Sequence, residues 1–86
     1  MPYRVFWAPA AEQKLEQAIQ LAADASVIVA AAREVERRLI GAPYEFGESR
    51  SDPLRVGFVL PLGIMFEIMD DVRTVIVHDA WTAERK

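Results

Sequence analysis

Three β-forming runs, Leu54 to Leu60, Ile64 to Met69 and Val72 to Trp81, follow one another with only Pro61-Leu62-Gly63 and Asp70-Asp71 as further punctuation. Connections that short cannot hold a crossover helix, so consecutive strands must run antiparallel as a meander. A meander has two faces, and these runs are too apolar for both to be wet. The rest of the chain must therefore supply a covering layer.

The N-terminal half supplies it. Tyr3-Arg4-Val5-Phe6-Trp7 is rich in β-formers and reads as a first strand ending at Pro9. Pro9 suits the first turn of a helix, where its missing N–H would be unpaired anyway. Leu15, Ala18, Ile19 and Ala22 then recur at helical spacing, giving an amphipathic helix to about Ala23. Asp24 or Ser26 can cap a second helix, with Ile28, Ala32, Val35 and Leu39 as its stripe. Glu34 and Arg38 stand one turn apart, and Gly41 and Pro43 end the helix. Ala42 to Asp52 carries Pro, Gly, Ser and charges and reads as a loop. The expected fold is a single α+β domain spanning 1–86, a two-layer β-α-α-β-β-β arrangement. Its helical hairpin packs on one face of a four-stranded, mainly antiparallel sheet.

Composition narrows the chemistry. Lys and Arg total 10 against 13 Asp and Glu, a formal charge of −3, which argues against a surface broadly clothed in basic charge. There is no Cys and one His, which rules out disulfides, thiolate zinc sites, Cys nucleophiles and multi-His metal centres. No metal and no cofactor is expected. No run reaches the roughly 18 apolar residues that span a bilayer. Met1 to Pro9 lacks a charged region leading into an apolar one, so no secretory leader is expected and the default location is cytoplasmic. Apolar residues make up 52% of a chain whose size lets it bury only about 60% of its unfolded surface. Some of that apolar surface is expected to meet a partner.

Side chains alternate along a strand, so the meander can be split into faces. Leu54, Val56, Phe58 and Leu60 oppose Arg55, Gly57 and Val59. Ile64, Phe66 and Ile68 oppose Met65, Glu67 and Met69, and Val75 and Val77 oppose Thr74, Ile76 and His78. Placing each more apolar set beneath the helices leaves Arg55, Glu67, Thr74 and His78 on the open face. A guanidinium, a carboxylate and an imidazole would then share one uncovered surface. The same residues also have plainer readings: Arg55 pairing with Glu67 across the sheet, His78 as an ordinary strand histidine, Trp7 and Trp81 as packing. Met65 and Met69 on that face suit an adaptable binding surface. Arg33, Arg37 and Arg38 form a basic helical face, and Val27 to Ala32 is apolar nearly all round.

The order of these pieces resembles the RelE/ParE superfamily of toxins from bacterial type II toxin–antitoxin modules, also known as plasmid-stabilisation toxins. The resemblance rests on Trp7-Ala8-Pro9-Ala10-Ala11 closing the first strand, the helical hairpin, Gly47-Glu48-Ser49-Arg50, and Leu54-Arg55-Val56. Pro61-Leu62-Gly63-Ile64-Met65-Phe66-Glu67 and the closing Val75-Ile76-Val77-His78-Asp79-Ala80-Trp81 complete it. It implies growth inhibition held in check by a cognate antitoxin, in a toxin–antitoxin hetero-oligomer or with self-association. In the RNA-cleaving branch it implies a ribosome-dependent, metal-independent endoribonuclease (an mRNA interferase), in which a ribose 2′-OH attacks its own phosphate. Such a step requires a base, cations for the phosphorane charge and an acid for the leaving oxygen. On that reading Arg55 would bind phosphate, His78 would be the general acid and Glu48 the base. Arg50, Arg73 and Trp81 would hold RNA, with Glu67 a further open-face candidate. On this reading the toxin assignment and its proposed residues stand or fall together with Arg55 lying on the uncovered face. The alternatives are a ParE-like DNA gyrase inhibitor without chemistry of its own, and a degenerate, inactive interaction domain. The acidic balance and the lack of Tyr after Tyr44 favour the gyrase reading, and no Lys lies between Lys14 and Lys86.

Overall fold

The computed structural model describes residues 2–83. Strand β1 (Arg4–Trp7) leads into helices α1 (Pro9–Leu21) and α2 (Ala25–Gly41), then β2 (Glu48–Ser51), β3 (Leu54–Val59), β4 (Leu62–Met69) and β5 (Thr74–Thr82). Pro9 opens α1, and the Asp24 carboxylate caps α2 by accepting from the Ser26 backbone N–H at 3.1 Å and its hydroxyl at 2.6 Å. At the far end the Ala42 N–H donates to the Arg38 carbonyl, and Pro43 starts a single 3-10 turn.

The sheet has five strands in the order β1-β5-β4-β3-β2. β1 runs parallel to β5 and every other pair is antiparallel. Two corrections follow. The segment 42–52 is not all loop, because residues 48–51 form an edge strand, and the sheet therefore has five strands rather than four. All four residues of β2 are exposed and polar, so no alternation of character marked them as a strand.

Both helices lie on one face of the sheet. Beneath them Phe66, Ile64 and Leu62 of β4 and Val75 and Val77 of β5 are fully buried against Val35 and Leu39 of α2 and Ala11 of α1. Burying a side chain of Phe66's size contributes about 1.5–3 kcal/mol. Small residues on α2, Ala31 and Ala32, are part of the same core. Trp7 joins this layer from β1 and donates its Nε1–H to Glu36 at 2.9 Å. Phe46, from the segment before β2, is 3% exposed and packs on Phe66 with ring centroids 5.8 Å apart.

Phe46 enters over Gly57. A Cβ there would lie 2.5 Å from its ring, so the close approach requires glycine. That contact shows which way β3 faces. Gly57 pairs with Ile64, Arg55 with Phe66 and Val59 with Leu62, so Arg55, Gly57 and Val59 are on the helix side. The expected assignment of β3 is inverted, and Leu54, Val56 and Phe58 face away from the helices. The reason is the turn. The connection is the two residues Leu60-Pro61, closing on a Val59–Leu62 pair, where the three-residue turn 61–63 would have paired Leu60 with Ile64. A one-residue change in register exchanges the faces of a strand.

Candidate functional site

The uncovered face can be read row by row from the registers. Phe6, Ile76, Glu67 and Leu54 stand side by side across β1, β5, β4 and β3. Met65 lies between Asp79 of β5 and Val56 of β3, and Glu48 of β2 is beside Val56. Gly63 lies between Trp81 and Phe58, whose rings meet edge to face at 6.0 Å across it. The surface is largely apolar, with Phe6 and Phe58 about half exposed and Ile76, Met65, Met69, Leu54, Val56 and Trp81 partly so.

A polar pair lies at its centre, with Arg4 and Thr74 in the row of Met69 and Glu48 towards the β2 edge. His78 Nε2 lies 3.0 Å from Glu67 Oε1, with 38% and 28% of their side chains exposed. A β-bulge makes the contact: Met65 pairs with Asp79 but Phe66 with Val77, so β5 carries one extra residue, His78. The next side chain, Asp79, is bound by Lys14 of α1 at 2.8 Å, and that bond holds its carboxyl below the ordinary aspartate range. Glu67 fixes the imidazole through one ring nitrogen. The other nitrogen is the one able to take or give a proton, with the tautomer set by that hydrogen bond.

The remaining sequence candidates are dispersed. Arg55 is on the covered side, where its guanidinium donates to the Tyr44 and Gly47 carbonyls at 3.2 and 3.4 Å and lies 5.7 Å from the Tyr44 ring. Its Nε is buried without a partner. It is a clasp for the segment before β2 and not a group on the open face. Glu48 is on the open side but two strands from β4, roughly 10 Å at the usual strand spacing. Arg50 is exposed on the β2 edge. Arg73, in a left-handed turn with φ 49°, stacks 4.4 Å over the Tyr3 ring. Trp81 is on the open face beside Phe58. Arg4 is at the β1 edge, and Lys14, Arg33, Arg37 and Arg38 belong to the helices of the opposite layer. Glu48, Glu67 and His78 therefore share a face, with Glu67 and His78 in contact and Arg55 behind them.

One cluster was missed. Asp70 accepts hydrogen bonds from the hydroxyls of both Tyr3, at 2.6 Å, and Tyr44. Those bonds hold its carboxyl below the ordinary range and push both phenols up. The three residues come from separate segments, 67 and 26 positions apart in the bonded pairs, and no local pattern links them. On α2, Glu34 binds both Arg37 and Arg38, which brings its carboxyl down to about 2. Among the described residues no group of three or more His, Cys, Asp and Glu is placed to hold a metal, and no helix is long and apolar enough to cross a membrane.

Comparison with solved structures places this architecture. No family model and no curated protein matches the sequence. By structure, the chain is similar to the Mycobacterium tuberculosis toxin–antitoxin complex RelBE2, with a TM-score of 0.79 at 16% identity, covering 95% of this chain and 92% of that one. It is similar to the chromosomal ParDE toxin–antitoxin system of Pseudomonas aeruginosa, TM-score 0.68 at 15% identity, over 95% and 97%. It is also similar to the isolated Escherichia coli RelE toxin, TM-score 0.65 at 16% identity, over 98% and 87%. The chain has the RelE/ParE-like toxin fold even though Arg55 lies on the covered side, so the expectation that the fold likeness would fail with that placement is corrected.

Proposed function

We propose that this protein is the toxin of a type II toxin–antitoxin module, acting in the cytoplasm and neutralised by a cognate antitoxin. Its near-complete overlap with RelE and ParE structures supports that class. Of the two modes, poisoning of a protein target such as DNA gyrase, without chemistry of its own, is the better supported. The observation that carries it is the placement of Arg55. With that guanidinium bound to carbonyls on the covered side, the centre of the open face holds an imidazole–carboxylate pair among apolar side chains. Phosphodiester cleavage builds up negative charge that a site of this kind stabilises with cations. A carboxylate there works in the opposite direction.

The Glu67–His78 pair is the specific observation favouring the second reading, ribosome-dependent mRNA cleavage with His78 as the proton-transfer group. Controlled expression in a bacterial host separates the two. The gyrase reading expects growth arrest, inhibited supercoiling by purified protein and intact transcripts on primer extension. Cleaved transcripts that become intact in His78→Ala would replace it with the nuclease reading. Absence of any growth defect, with the protein folded and abundant, would sink both and leave a degenerate, non-toxic interaction domain.

A further inference from the structure

Strand β5 outruns its parallel neighbour. β1 pairs with it only from Thr74 to Val77, and the Ala8 N–H closes that side on the Val77 carbonyl at 2.9 Å. From His78 onward β5 is the outer strand among the described residues. The extra residue of the β4–β5 ladder falls at the same point, since Phe66 pairs with Val77 and Met65 with Asp79. Further along, the Ala83 N–H donates to the Pro61 carbonyl at 2.7 Å. Bonded and non-bonded rows alternate in an antiparallel pair, so the row of Ala80 and Ile64 turns its backbone groups away from β4. That leaves the Ala80 N–H without a ladder partner in a residue only 1% exposed, and a buried N–H in that state is costly.

Asp79 supplies the missing acceptor. Its Oδ1 accepts from the Ala80 N–H at 2.8 Å, and the same oxygen binds Lys14 Nζ of α1 at 2.8 Å. One carboxylate thus pins the backbone directly after the bulge and ties it to a helix of the opposite layer. An ion pair this exposed adds little stability, so its consequence is geometric. A bulge re-aims a side chain, and here that side chain is His78. The imidazole is held between the Ile76–Glu67 row and the Asp79–Met65 row, with Nε2 3.0 Å from Glu67. Unpinned, the extra residue would be free to shift along β5, and the imidazole would no longer be directed at Glu67. We propose that Asp79 is the positioning residue for His78: through its bond to Ala80 it fixes the bulge, and so sets which way the imidazole points on the open face. Lys14 extends that control to α1. The assignment rests on the reading of the open face as the toxin's working side, and it applies to either mode of action.

The chain has one histidine, so the imidazole C–H signals in an NMR spectrum belong to His78 alone. The test is a double-mutant cycle on the purified full chain at fixed pH. Glu67→Gln should shift those signals in the parent chain and in Asp79→Asn, whose amide oxygen still accepts from the Ala80 N–H. In Asp79→Ala the shift should vanish, because the imidazole no longer meets the Glu67 side chain. An aspartate that only protected the strand edge would leave the shift intact. Growth arrest should fall in Asp79→Ala as far as in His78→Ala, persist in Asp79→Asn, and fall no further when the two alanines are combined. A full response to Glu67→Gln in Asp79→Ala, or an equal loss in Asp79→Asn, overturns the proposal. If Asp79→Ala does not fold, Lys14→Met takes its place. That variant should melt like the parent and show a reduced response, and a full response there overturns the proposal. A lost response with unchanged growth arrest keeps the positioning role and sinks the open-face reading. An intact response with lost growth arrest overturns the positioning role and leaves the toxin reading standing.

Discussion

The two faces of the sheet are made from the same strands and differ in how fully they are covered. On the covered face Phe66, Ile64, Leu62, Val75 and Val77 are fully buried, and the charged groups stay at the margin, as with Arg55. On the open face the apolar residues remain partly exposed, and the Glu67–His78 pair is at the centre. Stability is concentrated on one side, and the other is the side that the proposed function would use. A small domain can leave an apolar face uncovered only if the opposite face suffices to fold it.

The largest expected break in that symmetry is between Phe66 and Phe6. Phe66→Ala should cost about 3–5 kcal/mol in urea unfolding, a large share of what a domain this size possesses. Phe6→Ser, at 55% exposure, should stay within about 0.5 kcal/mol. Comparable losses would mean that the open face is also core.

Two glycines sharpen the contrast. A Cβ on Gly57 meets the buried Phe46 ring at 2.5 Å, and Gly57→Ala should cost about 1–3 kcal/mol. A Cβ on Gly63 meets Trp81 and Phe58 at 2.7 and 2.8 Å, but these half-exposed rings can swing outward. Gly63→Ala should cost less than its counterpart and change tryptophan fluorescence. The reverse order would show that the Trp81–Phe58 pair is the more rigid.

Next come the two polar sites. Arg55→Ala removes donors to two carbonyls of the segment before β2 and should lower stability by about 1 kcal/mol. Its toxicity should fall no further than that loss of folded protein explains. His78→Ala should change stability by less than about 0.5 kcal/mol, the scale of an exposed pair. It should alter activity if the open face is where the protein works. Measuring growth arrest beside the melting curve of each variant checks both.

The smallest effect concerns acid stability. Asp70's carboxyl lies below its ordinary value because Tyr3 and Tyr44 donate to it, so the unfolded chain takes up this proton at a higher pH than the folded one. Its stabilising contribution is complete above the ordinary aspartate range and is lost as pH falls through the depressed folded value. Asp70→Asn should therefore show a shallower fall in urea midpoint between neutral pH and the depressed Asp70 range than the parent chain. An unchanged slope would remove this cluster from the acid response.

Some of this was legible without coordinates. Pro9, the Asp24 cap and Gly41 with Pro43 mark the helix limits because they act through local backbone geometry. Strong alternation on β4 and β5 assigned their faces: Phe66 inward and Glu67 outward, Val77 inward and His78 outward. Neighbours a few positions away decide such features. β3 was misread because its polar-looking set, Arg55 and Gly57, suited an exposed face by composition alone. Hydropathy registers Gly57 as a weak strand residue; the structure uses it as a seat for Phe46.

The amino-acid sequence by itself determined the kinds and order of the elements other than β2, and the one-sided covering, because propensity, capping and periodicity are short-range properties of the chain. Tertiary structure alone decided the length of the turn at Leu60-Pro61, the pairing of β2 and the meeting of Tyr3, Asp70 and Tyr44. Each depends on which residues become neighbours across the sheet. A strand's faces alternate with a period of two, so a single residue at a turn was enough to move Arg55 from one side of the molecule to the other.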